Sequence, residues 1–250
     1  TVFSGFDGTI IYTIVGSGTP NGFEQFGFAV ASAGDVNGDA VPDFVVGAPY
    51  GLNYNSVSAG YARVFSGADG STLFTAYGNV AEERMGTSVT GVGDINVDGY
   101  EDVAVGTPWS NYVGAAGSLR VYSGVDGLLL YFLNGLGMGA SICGAGNLNG
   151  DAVPDFVVSG PAGARSFSGA TGALLHTFPG SGPVARAGDV NQDGRDDLIV
   201  GFQQGTDTHG VRVYTGQEPT ILYEFTNPGV GTLLPLASTG LLNADTKLDL

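Results

Sequence analysis

The chain has 250 residues, of which 24 are acidic and 8 basic, so its formal net charge is −16. A nucleic-acid partner is not expected, because phosphate binding needs a basic surface. The hydrophobic fraction of 43% argues against disorder, and the 44 glycines follow no strict three-residue period, which excludes collagen. This length suits one all-β domain, and we expect a single domain over residues 1–250.

Two further classes of structure are not expected from the sequence. It contains no apolar run long enough to cross a membrane as a helix, so we expect no membrane span. Its one cysteine, Cys143, cannot form a disulfide within the chain. We expect Cys143 to lie in a strand as a small buried apolar residue.

The chain begins with a segment that is typical of a β-hairpin. Val2–Gly8 is followed by the apolar run Ile10–Val15, and glycine in the connecting Ser-Gly-x-x-Gly segment supplies the positive φ that such turns require. The same pattern recurs over 62–77, 119–132, 165–178 and, less regularly, 211–223. The chain therefore starts inside a repeating unit, with what we expect to be its third and fourth strands.

An acidic loop of nine residues recurs along the chain. The first copy is Asp35-Val-Asn-Gly-Asp-Ala-Val-Pro-Asp43, with oxygen-bearing side chains at positions 1, 3, 5 and 9. Further copies begin at residues 94, 147, 189 and 241, so the period is 42–59 residues. Several strands in a unit of this length predict a β-propeller or a similar array. Positions 1, 3, 5 and 9 hold 13 of the 24 acidic residues, so the acidity is largely a property of these loops.

The composition of these loops predicts a calcium site in each. Crowded carboxylates repel each other unless a cation lies among them, and Ca²⁺ takes 6–8 oxygen ligands, whereas Mg²⁺ keeps more of its waters. The loop is not an EF-hand, because Val46 stands at position 12 where an EF-hand has a glutamate, and a strand-like apolar run follows. By analogy with the EF-hand, the backbone carbonyl at position 7 is expected as an extra ligand.

The expected ligands at positions 1, 3, 5, 7 and 9 are Asp35, Asn37, Asp39, Val41 and Asp43; Asp94, Asn96, Asp98, Tyr100 and Asp102; Asn147, Asn149, Asp151, Val153 and Asp155; and Asp189, Asn191, Asp193, Arg195 and Asp197. The third copy loses a charge at Asn147, so we expect a lower affinity there. The fifth copy has Leu241 at position 1 and retains Asn243, Asp245 and Asp249, so four sites are expected and the fifth is incomplete.

Around each loop the unit reads as strand, loop, strand, and then a Gly-x-Pro-like turn. Small residues precede the loop, as in Phe26-Gly-Phe-Ala-Val-Ala, and an apolar strand follows it and ends at Gly47-Ala-Pro49. Four arginines recur at one position of the third strand, and we expect them to be edge cations near the acidic loops: Arg63, Arg120, Arg165 and Arg212.

Phe26-Gly, the Asp-x-Asn-x-Asp-x-x-x-Asp loop and Val46-Gly-Ala-Pro49 together resemble the FG-GAP repeat of integrin α-subunit β-propellers and related bacterial surface proteins. The resemblance implies four-stranded blades with Ca²⁺ in the loop between strands one and two. It covers about five repeats. The last blade would be completed by the N-terminal hairpin or by a neighbouring chain.

No catalytic constellation is visible. His176 and His209 have no metal-binding spacing, no Gly-x-Ser-x-Gly elbow occurs, and acidic residues repeated in every unit indicate structure, since an active site is needed once. Exposed aromatic residues are the better functional signal, in the loops 50–60 and 109–114, where they suit contact with a protein or a carbohydrate.

We therefore expect an extracellular or cell-surface calcium-binding module for adhesion or recognition. A structural subunit that assembles through the split terminal repeat is a second hypothesis. A polysaccharide-active enzyme is a third, and it lacks the single asymmetric site that catalysis needs.

Overall fold

The computed structural model describes residues 1–17, 23–108, 117–204 and 208–228, and every regular element in these ranges is a β-strand. A two-stranded sheet comes first, with β1 (Val2–Phe3) and β2 (Ile10–Tyr12). Four four-stranded sheets follow, which we call blades 1 to 4. Blade 1 consists of β3 (Ala29–Gly34), β4 (Asp43–Ala48), β5 (Tyr61–Phe65) and β6 (Thr72–Tyr77), and blade 2 of β7 (Ser88–Gly93), β8 (Asp102–Thr107), β9 (Ser118–Tyr122) and β10 (Leu129–Asn134). Blade 3 consists of β11 (Ser141–Gly146), β12 (Asp155–Gly160), β13 (Gly163–Phe167) and β14 (Leu174–Phe178). Blade 4 consists of β15 (Val184–Gly188), β16 (Asp197–Gln204), β17 (Thr208–Tyr214) and β18 (Ile221–Pro228).

Each blade is an antiparallel meander in which every strand pairs with the next one along the chain. The first strands of successive blades lie side by side, β3 beside β7, β7 beside β11 and β11 beside β15. The blades therefore follow one another around an axis lined by their first strands. This is the architecture of a β-propeller, as the repeat period predicts.

The hydrophobic core lies between the faces of successive blades. Val45 and Val64 of blade 1 pack in one cluster with Val103 and Val105 of blade 2, and similar clusters join blade 2 to blade 3 and blade 3 to blade 4. The second strands β8 and β12 are buried along their whole length, which explains their continuous apolar sequence. Burial of apolar surface between blades is the main force that holds them together.

Gly47 of the Gly-Ala-Pro segment and Gly86 of Met85-Gly86 allow blades 1 and 2 to approach closely. A β-carbon on Gly47 would lie 2.0 Å from the carbonyl oxygen of Gly86 in the next blade. Gly86 has φ +88° and donates its N–H to the carbonyl of Gly106 at 3.2 Å. A side chain at either position would force the blades apart, so these contacts explain why glycine is needed at Gly47 and Gly86, whereas Gly27 has space for a β-carbon and is favoured by its φ of +91° alone.

The N-terminal hairpin packs against blade 1 as the outer strands of a preceding blade would. The Tyr12 hydroxyl donates to the carbonyl oxygen of Gly67 at 2.6 Å, and Tyr131 of blade 2 makes the matching bond to Gly169 of blade 3 at 2.8 Å. The chain thus starts with third and fourth strands, as expected, although the second strand ends at Tyr12 rather than Val15. Completion of a last blade stays a prediction, because the fifth loop lies outside the described residues.

Candidate metal centre

All four complete acidic loops connect the first and second strands of a blade. Position 9 opens the second strand in each, where Asp43, Asp102, Asp155 and Asp197 pair with the glycine that ends the first strand. A bulge in the first strand precedes each of these pairs. The four loops therefore lie at the same end of their blades. The fifth loop, with Asn243, Asp245 and Asp249, lies outside the described residues.

The side chain at position 1 organises the turn of the loop. Asp35 accepts the N–H of Gly38 at 2.7 Å through Oδ1 and that of Ala40 at 2.8 Å through Oδ2. Asp94 and Asp189 accept the equivalent N–H groups of Gly99 and Gly194 at 2.8 and 2.9 Å. The carboxylate thus faces the inside of the turn, where the backbone folds around it.

Positions 3 and 5 are joined side chain to side chain in every loop. Asn37 Nδ2 donates to Asp39 Oδ2 at 2.9 Å, and Asn37 Oδ1 accepts the N–H of Asp39 at 2.9 Å. The pairs Asn96–Asp98, Asn149–Asp151 and Asn191–Asp193 repeat the side-chain bond at 2.8–2.9 Å. Each position-5 carboxylate also accepts the N–H of position 7, which brings Val41, Tyr100, Val153 and Arg195 against it.

The aspartate at position 9 is buried in every loop, at 0–1% exposure. Asp102 accepts the N–H of Ile95 at 2.9 Å and that of Gly124 at 3.0 Å, so it ties the loop to the hairpin between the third and fourth strands. Burial, with a smaller contribution from the charge of Asp98, raises the pKa of Asp102 to about 6, although its backbone hydrogen bonds act in the opposite direction. The pKa values of Asp43, Asp155 and Asp197 are also raised, in each case chiefly by burial.

The donors of these loops fit a hard divalent cation. They are carboxylate, amide and backbone oxygens only, and each loop buries an aspartate that has backbone N–H partners and no ion pair to an Arg or Lys side chain among the described residues. Within those residues no three His, Cys, Asp or Glu side chains lie together in a group that could hold a metal, so the three aspartates of the first, second and fourth loops do not converge on one point. In this structure their carboxylates are held chiefly on backbone N–H groups.

Two loop positions have the left-handed backbone in all four copies. Position 4 is Gly38, Val97, Gly150 or Gln192, with φ between 59 and 82°. Position 6 is Ala40, Gly99, Ala152 or Gly194, with φ between 65 and 93°. This conformation curls the chain around the position-1 side chain, and it is strained for the β-branched Val97.

Two carboxylates near the loops, Glu101 and Asp196, were missed by the sequence analysis. Glu101, at position 8 of the second loop, lies against Gly34 at the start of the first loop. Its pKa is raised by partial burial and by the charges of Asp35 and Asp94. Asp196, at position 8 of the fourth loop, lies in the same way against Gly146 before the third loop, whereas position 8 is Pro42 and Pro154 in the first and third loops, so the motif carries this acid in two of the four described copies.

The recurrent arginines do not face the acidic loops, so that prediction was wrong. Arg120 forms an ion pair with Glu83, which lies just before the Met85-Gly86 segment. Arg63 donates to Thr75 Oγ1 and Ser17 Oγ, and Arg212 pairs with Glu224 at 2.7 Å. At this position of the third strand, Arg63, Arg120 and Arg212 therefore contact neighbouring strands and segments instead of the acidic loops.

The loop 50–60 is rigid and presents aromatic side chains. Asn53 is buried and holds the loop closed, since its Oδ1 accepts the N–H groups of Asn55 and Val57 and its Nδ2 donates to the carbonyl of Gly78. Tyr54 is 75% exposed and packs edge-on against Tyr77 at 6.2 Å. The second aromatic loop, 109–114, lies outside the described residues.

The two histidines and the cysteine that the sequence singles out all lie in strands. His176 lies in β14 and packs on Phe178, and His209 lies in β17. Cys143 is partly buried in β11, where burial raises the pKa of its thiol to about 12. Among the described residues, no helix is long and apolar enough to cross a membrane.

Comparison with known proteins identifies the repeats. The FG-GAP repeat family matches residues 26–65, 85–122 and 181–216, which hold the first three strands of blades 1, 2 and 4. Blade 3, whose loop begins with Asn147, lies outside these matches. In fold, the chain resembles BBS1N from a crystal structure of BBS1N in complex with ARL6DN, with a TM-score of 0.51 and 15% identity over 80% of this chain and 51% of that one.

The sequence relatives include integrin α subunits. Integrin α-5 of Xenopus laevis is 29% identical over 77% of this chain, and integrin α-2 of Bos taurus is 31% identical over 52% of it. The chain spans 21% of the first relative and 12% of the second. The chain is thus a β-propeller that carries FG-GAP repeats, and it is similar in sequence to integrin α subunits.

Proposed function

We propose that this chain is a calcium-stabilised recognition module that binds a protein ligand outside the cell or at its surface. The observation that carries the proposal is the repeated loop itself, which buries one aspartate and gathers three further oxygen-bearing side chains beside it in blade after blade. The likeness to integrin α subunits supports an adhesive role and a protein ligand.

Calcium would be held by the side chains at positions 1, 3, 5 and 9 and by the carbonyl at position 7. The ion would neutralise carboxylates that otherwise repel each other across a partly dry turn. In this chain the position-9 aspartate already joins the loop to the neighbouring hairpin, as Asp43 does through Val36 and Gly67. Fixing Asp43 therefore fixes both turns at this end of the blade.

The recognition surface is the loop 50–60, which lies at the opposite end of blade 1 from the calcium loop. Tyr50 and Leu52 are each 37% exposed and flank the more exposed Tyr54. Arg84 lies 5.2 Å from the ring of Tyr50. Tyrosine loses little conformational entropy on binding, and both tyrosine and arginine are enriched among the residues that dominate the binding energy of protein interfaces.

Calcium dependence is tested by thermal unfolding of the full chain in calcium, in magnesium and in a chelator. One site filled to 100 times its Kd stabilises by about 2.7 kcal/mol, so filled loops are expected to raise Tm by at least about 5 °C. Magnesium should restore much less of the shift. Equal melting temperatures in all three conditions would show that the loops do not use calcium.

Recognition is tested by binding of the chain to an array of secreted proteins and glycans in calcium. We expect protein targets whose binding falls at least tenfold in the Tyr54→Ser variant and is lost in chelator. Asn55→Ser in the same loop, at an exposed position with no aromatic contact, is the matched control. Glycan targets, or large particles of the chain alone, would instead favour a carbohydrate-binding or self-assembling protein.

A further inference from the structure

The third loop differs from the other three described loops in its position-1 side chain and in the residue that lies against it. Asn147 stands at position 1, so the loop holds two carboxylates, Asp151 and Asp155, where the first, second and fourth loops hold three. Asn147 Oδ1 accepts the N–H of Gly150 at 2.7 Å. Its other terminal atom is an amide nitrogen, which cannot accept the N–H of Ala152 as a second carboxylate oxygen would.

A guanidinium from the next blade lies against this loop. Arg195 Nη1 donates to the carbonyl oxygen of Leu148, position 2 of the third loop, at 3.0 Å. A β-carbon on Gly150, at position 4, would lie 3.0 Å from Arg195 Nη2. The amide oxygen of Gln217, turned toward the guanidinium, accepts from Arg195 Nε at 2.9 Å and holds the group in place.

The equivalent contact on the first loop is neutral. Tyr100, at position 7 of the second loop, lays its ring against Gly38, with a ring carbon 2.7 Å from where a β-carbon would be. Arg195 also belongs to position 7, and its own N–H donates to Asp193 within the fourth loop at 3.0 Å. The residue at position 7 of the following loop is therefore arginine beside the third loop and tyrosine beside the first. Of these two loops, only the third has a positive charge against it.

We propose that Arg195 replaces calcium as the group that stabilises the third loop. This loop then binds the ion far more weakly than the first, second and fourth loops. Loss of one ligand charge and approach of a fixed cation both disfavour a divalent ion, and calcium loops span several orders of magnitude in Kd according to ligand charge and rigidity. The hydrogen bond to Leu148 fixes the third loop by tying it to blade 4, without metal. This inference rests on the proposed calcium binding of the other loops.

The test counts calcium ions bound per full-length chain by equilibrium dialysis at about 1 mM free calcium, the upper end of the Kd range of extracellular calcium modules. Two matched variants remove the same carboxylate at position 5, Asp39→Asn in the first loop and Asp151→Asn in the third. We expect Asp39→Asn to lose one ion and Asp151→Asn to lose none. Counting differences between variants makes the result independent of the fifth loop.

A gain-of-binding variant completes the test. Asn147→Asp combined with Arg195→Tyr gives the third loop the charge of the first and the neutral neighbour seen at Tyr100, and one additional ion should bind. Loss of one ion in Asp151→Asn would overturn the inference while leaving the calcium proposal intact. If Asp39→Asn also changed nothing, calcium binding by the first loop would be refuted, and the inference would fall with it.

Discussion

Glu83 and Arg120 form an ion pair that is almost closed off from water, with side-chain exposures of 0 and 3%. Glu83 also accepts the backbone N–H groups of Asn79 and Val80, and Arg120 lies against the sulfur of Met85 at 3.4 Å. The pair therefore ties the third strand of blade 2 to the segment that enters its first strand. A buried pair of this kind matters most when one partner is removed, because the other charge is then left without compensation.

Glu83→Gln is expected to lower the free energy of unfolding by about 3–5 kcal/mol, since it leaves the Arg120 charge buried. Urea unfolding at constant calcium measures the change. Glu224→Gln is the matched control, because it breaks the pair with Arg212, in which the glutamate is 39% exposed. That control should cost no more than about 1 kcal/mol. Similar small losses in both variants would show that the Glu83 pair contributes no more than a surface contact.

The partners of the recurrent third-strand arginines could not be predicted from the sequence. The repeat revealed that Arg63, Arg120 and Arg212 are equivalent, but each finds a different partner, on segments that vary between blades. The acidic loops, in contrast, were placed correctly between first and second strands, because their spacing alone forces the turn. Contacts between blades, such as Arg195 on Leu148, join residues 47 apart and leave no local pattern to read.

Val97 is strained, and its replacement by glycine should stabilise the second loop. It has φ 59° at position 4, where the first and third loops have glycine. A left-handed conformation costs an L-residue about 1–2 kcal/mol, and part of the gain is offset by the chain entropy of glycine. We expect Val97→Gly to raise the free energy of unfolding by about 1 kcal/mol, measured by urea unfolding in calcium.

Val41→Gly provides the contrast for this prediction. Val41 is also an exposed loop valine, but it is not among the described residues with positive φ. Glycine at position 41 relieves no backbone strain and raises the conformational entropy of the unfolded chain. We therefore expect Val41→Gly to lower the free energy of unfolding by about 0.5–1 kcal/mol. A destabilised Val97→Gly variant would mean that the valine side chain makes contacts that outweigh its backbone strain.

Equivalent valines on the first strands differ sharply in exposure. Val30 is 64% exposed, whereas Val89, at the same position of the next blade, is 7% exposed because it packs on blade 1. Val89→Ala should cost about 2 kcal/mol, since two buried methyl groups are lost and the site cannot fully collapse. Val30→Ala should change the free energy of unfolding by less than about 0.5 kcal/mol. A cost at Val30 equal to that at Val89 would show that the side chain is covered in solution.

The single thiol should be inert in the folded protein. Burial raises the pKa of Cys143 from 9.0 to about 12, so the thiolate fraction at pH 8 falls to about 10⁻⁴, and the thiolate is the reactive form. A disulfide reagent at pH 8 is expected to label the native chain about 1000-fold more slowly than the chain in urea. The variant Cys143→Ala with Ser71→Cys moves the thiol to an exposed turn and should react at the rate of the unfolded chain. Rapid labelling of native Cys143 would mean that β11 separates readily from blade 4, against which this residue packs.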